Sequence, residues 1–222
     1  MTPEINLRRF RFSRLNEPEF CHLKLLVYWP AFGAAFWILE RFSPVTEYYP
    51  VHCILDDRIP FLEIFLLPYL FWFVYLIGMH VYTAIYDAAS FRRLMRFVMI
   101  SYTVTVVIYI LFPTCQQLRP AEFVRDNALT RFIGWFYTFD THTNVCPSLH
   151  VIGSAAVACT AWNTKGLRTT GWRLAFWTAA VLISVSTVFM RQHSVLDILA
   201  AVPVCLLAGL CSRPKKHMAA QL

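Results

Sequence analysis

Two histidines stand among polar residues within otherwise apolar stretches of this 222-residue chain: His150 in "CPSLHVIGS" (146–154) and His193 in "RQHSVLD" (191–197). His193 and Asp197 are four residues apart, so a helix stacks them on one face, where the carboxylate can accept a hydrogen bond from an imidazole N–H. That pairing fixes the tautomer and leaves the other ring nitrogen as a nucleophile or base. Arg191 lies in the same cluster and Arg119 in "QQLRP" (116–120); guanidinium groups fork onto phosphate oxygens. Two histidines, a carboxylate partner for one of them and nearby arginines describe phosphoryl transfer without a metal or other cofactor. One histidine attacks phosphorus and the other protonates the leaving oxygen. Asp140, His142 and Asn144, in "DTHTNVCPSLH" (140–150), are candidates for substrate positioning, with plain turn formation as the alternative.

The elements that must position these residues are membrane helices. At 58% hydrophobic and 15% charged residues, with a mean hydropathy of +0.51, the chain reads as an integral membrane protein. Apolar segments fall at about 23–39, 61–86, 97–113, 147–162, 172–190 and 194–211. The expected fold is therefore all-α: one polytopic membrane domain over 1–222 built as a six-transmembrane-helix bundle. Residues 1–22 form a basic arm, 23–211 the bundle and 212–222 a tail. The long connection 114–146 contains "ALTRFIGWFYTF", which suits a helix lying along the membrane surface. The N-terminal stretch lacks the apolar core of a signal peptide and is expected to stay attached.

Basic residues orient the bundle. Alternating the six segments puts fourteen of the twenty Lys and Arg on one side and six on the other. Both termini are thus expected in the cytoplasm, and the clusters holding Arg119, His150 and His193 on the extracytoplasmic face. The net charge of +7 is read as this topology signal plus attraction to anionic lipid; no nucleic-acid-binding motif is visible. Asp197, one turn inside a membrane helix, is costly there and is expected to face the bundle interior.

Other polar residues have blander readings. Ser148 is a favoured residue type for capping the fourth segment and also a candidate phosphate ligand. His80 reads as a packing histidine, and Glu63, Asp56 and Asp57 as a solvated loop, with contact to a lipid headgroup as the alternative. The seven cysteines are scattered without CxxC spacing, which indicates neither a disulfide framework nor a zinc site, although one pair among Cys53, Cys115 and Cys146 stays open.

Three short motifs in order, "LRP" (118–120), "PSLH" (147–150) and "HSVLD" (193–197), resemble those of the type-2 phosphatidic acid phosphatase superfamily of six-span lipid phosphatases and phosphotransferases. "DTHTNVCPSLH" is similar to the inositol phosphorylceramide synthase-like branch. The resemblance implies His193 as the nucleophile forming a phosphohistidine, Asp197 as its orienting partner and His150 as the general acid, with Arg119 and Ser148 holding the phosphate. The chain departs from that pattern at two cations. Phe112 stands seven residues before Arg119, where the family has a lysine, and Ser186 and Thr187 stand where the third motif has an arginine. Arg191 is the candidate substitute. The expected activity is hydrolysis of a lipid phosphomonoester or pyrophosphate, with a membrane lipid as the only implied partner. Transfer of a phospho-headgroup to a lipid acceptor is the first alternative, and a non-catalytic lipid-binding or transport protein the second. A metal site built from His142, His150, His193 and Asp197 competes, and the neighbouring arginines argue against it.

Overall fold

The computed structural model describes residues 2–138 and 140–213. Among them eight α-helices run in chain order: α1 Tyr28–Phe42, α2 Ile54–Arg58, α3 Leu66–Tyr86, α4 Ala88–Leu111, α5 Ala128–Tyr137, α6 Leu149–Ala161, α7 Thr170–Phe189 and α8 Val195–Cys211. A 3-10 helix, Cys21–Val27, leads into α1, and a 3-10 turn, Glu63–Phe65, leads into α3.

Among the described residues four helical stretches are long and apolar enough to cross a membrane: Cys21–Phe42, Glu63–Tyr86, Ala88–Leu111 and Thr170–Phe189. The other two expected spans are shorter apolar helices. Their 13 and 17 residues rise roughly 20 and 25 Å, less than the roughly 30 Å of a hydrocarbon core. The third segment starts earlier than its apolar pattern, because α4 takes in Arg92, Arg93 and Arg96. Asp87 alone separates α3 from α4, and its carboxylate accepts from Ser90 N at 3.0 Å and Lys165 N at 2.9 Å, so capping rather than hydropathy sets that boundary.

The short helix α6 is the axis of the bundle. Gly153, Ser154, Ala156, Ala158 and Ala161 are small, and all are buried where α3, α4, α7 and α8 pack around them. Small residues allow this close approach. The opposite faces of the outer helices carry exposed Leu67, Val74, Ile77, Val181, Leu199 and Leu206, an apolar exterior suited to lipid. Helix α1 is peripheral, packing mainly on α4 and the 3-10 helix before it.

All the expected chemical residues lie at one end of this bundle, where α6 and α8 begin and α4 and α7 finish. A two-residue parallel strand pair, β1 Tyr49–Pro50 with β2 Thr114–Cys115, and a bridge from Cys115 to Thr143 tie the loops there together. The expected surface helix is α5, whose Ile133 and Phe136 pack on Leu66 and Tyr69 of α3. At the other end Glu4 pairs with Lys165, and His22 Nε2 meets the Ala84 carbonyl at 2.9 Å, which seats the basic arm beside the α6–α7 loop. The expected tail over 212–222 lies outside the described residues from 214 onward.

Candidate active site

The start of α8 assembles the first histidine. Ser194 is its N-cap, accepting from Leu196 N at 3.1 Å, and Asp197 completes a capping box by accepting from Ser194 N at 3.1 Å. The same Asp197 oxygen lies 2.9 Å from His193 Nδ1. One local motif therefore fixes the helix start and the imidazole together. The carboxylate accepts a hydrogen bond from Nδ1–H, which leaves Nε2 with its lone pair. Asp197 is fully buried and His193 is 8% exposed. Thr187 O accepts from both Gln192 N (3.0 Å) and His193 N (3.1 Å), closing the turn from α7 into α8.

Asp56 contradicts its reading as part of a solvated loop. It is fully buried, and its carboxylate accepts from Ser194 Oγ at 2.6 Å, Val195 N at 2.9 Å and Cys53 N at 2.8 Å. Burial pushes its pKa up, but the hydrogen bonds from Ser194, Val195 and Cys53 outweigh that, and the carboxyl is held below its ordinary value. Adjacent Asp57 is exposed and meets His52 at 2.7 Å. Arg191, in the left-handed region at φ 55°, donates Nη1 to Asp56 O at 2.9 Å and Nη2 to Ile59 O. Two of its nitrogens thus brace α2 against the histidine turn, where a phosphate fork was expected.

His150, on the first turn of α6, lies between two rings of α3, 4.4 Å from the Tyr69 centroid and 4.5 Å from that of Trp72. Its ring is 5.8 Å from that of His193, and its Nε2 is buried with no protein partner. Ser148 N donates to Asp197 O at 3.2 Å, stitching α6 to α8. Ser148 sits at the N-cap position, but its hydroxyl makes no capping bond, contrary to expectation; it too is buried and unpartnered.

Gly153 has a definite reason to be glycine. A Cβ there would lie 2.7 Å from Tyr102 Oη and 3.0 Å from Trp72 Nε1. Gly153→Ala is therefore expected to push Trp72 off His150, to destabilise the protein by about 1–3 kcal/mol, and to lower kcat more than its effect on expression explains. Thermal unfolding and turnover of the purified variant check this.

Arg119 reaches the same end from the loop after β2. Nη1 donates to Tyr137 O (3.3 Å) and Asp140 O (2.9 Å), and Nη2 to Thr141 O (3.0 Å) and Gln192 Oε1 (2.6 Å). The guanidinium also lies 4.4 Å over the Tyr137 ring and 3.6 Å from Asp140 Oδ2. Its fork is thus closed on protein oxygens, and Nε remains buried and unpartnered. Burial raises the Asp140 pKa against the pull of Arg119 and His193, which places its charge close to both. Asn144, at φ 51°, donates Nδ2 to Glu40 Oε1 at 2.6 Å, while the His142 side chain is exposed.

The two positions where the resemblance implies cations carry uncharged side chains. Phe112 is 63% exposed, and the Ser186 and Thr187 hydroxyls donate within α7 to Ile183 O (2.6 Å) and Ser184 O (2.8 Å). Glu63 Oε1 accepts from Arg125 and Asn127 at 3.2 and 3.1 Å. His80 is buried between Leu76 O (2.8 Å) and Trp29 Nε1 (3.3 Å), as a packing histidine would be. Among the described residues no three His, Cys, Asp or Glu gather as metal ligands, and all seven cysteines are thiols.

The site thus unites the three motifs. It adds Gln192, which stands beside His193 in the chain, and Asp56, Glu40 and the Tyr69–Trp72 pair, which no local spacing marked: Asp56 and Ser194 are 138 residues apart in the chain. No curated protein and no solved structure matches the chain. A family model described as the PAP2 superfamily matches residues 50–211, which hold α2 to α8 and every residue of the site except Glu40. With that match over well more than half its length, the chain belongs to the PAP2 superfamily.

Proposed function

We propose that this protein is a membrane lipid phosphatase that hydrolyses a phosphomonoester or pyrophosphate at the extracytoplasmic surface through a phosphohistidine at His193. The observation that carries this reading is the pair of histidine rings 5.8 Å apart, one with Nδ1 held by Asp197 and the other with Nε2 unpartnered. In the first step His193 Nε2 forms a bond to phosphorus while the bond to the leaving oxygen breaks, and that oxygen takes a proton from His150. In the second step water attacks phosphorus, His150 recovers the proton and the N–P bond breaks. A lipid hydroxyl in place of water makes the same intermediate a phosphotransfer donor.

Two features support a lipid substrate and this orientation. An apolar fissure of about 440 Å³ between α4 and α8, lined by Ile108, Ala200, Val204 and Leu207, reaches Cys146. Cys146 is itself close enough to Asp197 for that carboxylate, after burial, to help push its thiol up to about 12. A lipid tail lying in the fissure brings its headgroup to the histidines. The second feature is charge: Arg92, Arg93, Arg96, Lys165 and Arg168 cluster at the far end of the bundle, as the positive-inside rule asks of a cytoplasmic face.

The test is an assay of detergent-purified protein in EDTA. The substrates are phosphatidic acid, a lysophospholipid phosphate, a sphingoid phosphate and a polyprenyl diphosphate, each with and without an acceptor lipid. Free phosphate is the expected product; a transferred headgroup would identify a phosphotransferase. Release from none of them, or only after metal is added back, would overturn the proposal.

A further inference from the structure

Arg119 has five N–H groups, and four are used on oxygens of the loop 137–141 and of Gln192. The bond to Gln192 has a consequence for that amide. Because Arg119 can only donate, the oxygen of Gln192 must face it, at 2.6 Å, and the NH2 group must point the other way. Gln192 is 3% exposed, yet its Nε2 meets no protein acceptor. A buried amide with two free N–H groups is costly unless something accepts from it. Three other groups at this end of the bundle have the same unmet capacity: Arg119 Nε, Ser148 Oγ and His150 Nε2 are buried and unpartnered too. All are donors or can act as donors, as an anion requires.

Resting on the phosphatase reading above, we propose that Gln192 is a phosphate-binding residue. Its amide, polarised by Arg119, donates through Nε2 to a non-bridging oxygen of the phosphoryl group transferred to His193. A neutral donor attached to a half-buried arginine thus serves where Ser186 and Thr187 leave no cation. Arg119 acts through Gln192 and its own Nε, since its Nη groups are already engaged. The adjacency of Gln192 to His193 places the donor beside the attacking nitrogen, where charge on the phosphoryl oxygens must be held as the N–P bond forms.

Gln192→Glu separates this role from a structural one. The carboxylate keeps the shape and pairs with Arg119, so a residue that only anchors Arg119 loses nothing. A phosphate donor instead becomes an acceptor facing an anion. With the lipid phosphate that the wild type turns over best, kcat/KM is expected to fall roughly 30- to 100-fold. Inhibition by orthovanadate should weaken at least about tenfold, at an unchanged thermal midpoint. Gln192→Met, which keeps the length without a donor, is expected to show the same loss of vanadate affinity. Wild-type kcat/KM and vanadate inhibition in Gln192→Glu, alongside an inactive His193→Ala, would overturn the role of Gln192 and leave the phosphatase reading standing. A wild-type protein that neither releases phosphate from any lipid of the panel nor responds to vanadate would overturn both.

Discussion

His193→Ala is expected to abolish phosphate release, lowering kcat by about 10⁴-fold or more, while the protein still folds, because Ser194 and Asp197 retain their capping box without the imidazole. The informative comparison is with His150→Ala. In the proposed mechanism His150 protonates the leaving oxygen, so an alkyl phosphate needs it and a phosphate ester of p-nitrophenol, whose leaving group requires no proton, does not. His150→Ala should therefore lose turnover of the lipid substrate by about 10²–10⁴-fold, yet release one equivalent of p-nitrophenol in a burst and accumulate an acid-labile phosphoenzyme. The burst and the label should both be missing from His193→Ala. Labelling of His193→Ala, or an acid-stable phosphoenzyme, would assign the nucleophile elsewhere. The geometry motivates this division of labour: of the two, His193 has a carboxylate on one nitrogen, whereas His150 packs against Tyr69 and Trp72.

The second large effect is expected at Asp56, which touches neither histidine. Asn in its place offers one oxygen to three donors, so at least one of Ser194 Oγ, Val195 N and Cys53 N faces an NH2 group in a buried site. The cost is about 2–4 kcal/mol. The start of α8 loosens and His193 moves with it, so kcat should fall by about 10²-fold with KM less affected. The sign of the pH dependence follows from the lowered pKa of Asp56. A carboxyl whose folded pKa lies below its unfolded value stabilises the protein above the unfolded value, and that contribution fades as pH falls through the folded one. Wild-type stability should thus drop on acidification below about pH 4, more steeply than that of Asp56→Asn. Parallel thermal unfolding of both proteins between pH 3 and 7 checks it, and equal stability of the two at neutral pH would show that the contacts of Asp56 do not hold the site.

Local spacing made part of the site legible. His193 and Asp197 are one turn apart in a segment whose Ser194 also signals a helix start, so their pairing needs nothing beyond the geometry of a single helix turn. Likewise the apolar segments announced all the long helices of the bundle. The boundaries departed where caps overruled hydropathy, as at Asp87 before α4, and where a helix is shielded from lipid by its neighbours, as in α6, whose 13 residues fall short of a full span. Ser148 shows the limit of residue-type reasoning: it occupies the expected N-cap position, but its hydroxyl makes no capping bond.

What the sequence by itself determined is the chemistry available: an apolar helical chain carrying two histidines, a paired carboxylate and an arginine in three ordered motifs. Composition and periodicities of a few residues encode that. Only the tertiary structure decided how these groups are used. It sent Arg191 to the carbonyls of α2, closed the Arg119 fork on a loop and on Gln192, and drew Asp56 beneath α8 while leaving Asp57 in solvent. The physical reason is that these are contacts between residues far apart in the chain. Each buried polar group takes whatever partner the packed helices bring within about 3 Å, and no spacing along the sequence records which partner that is.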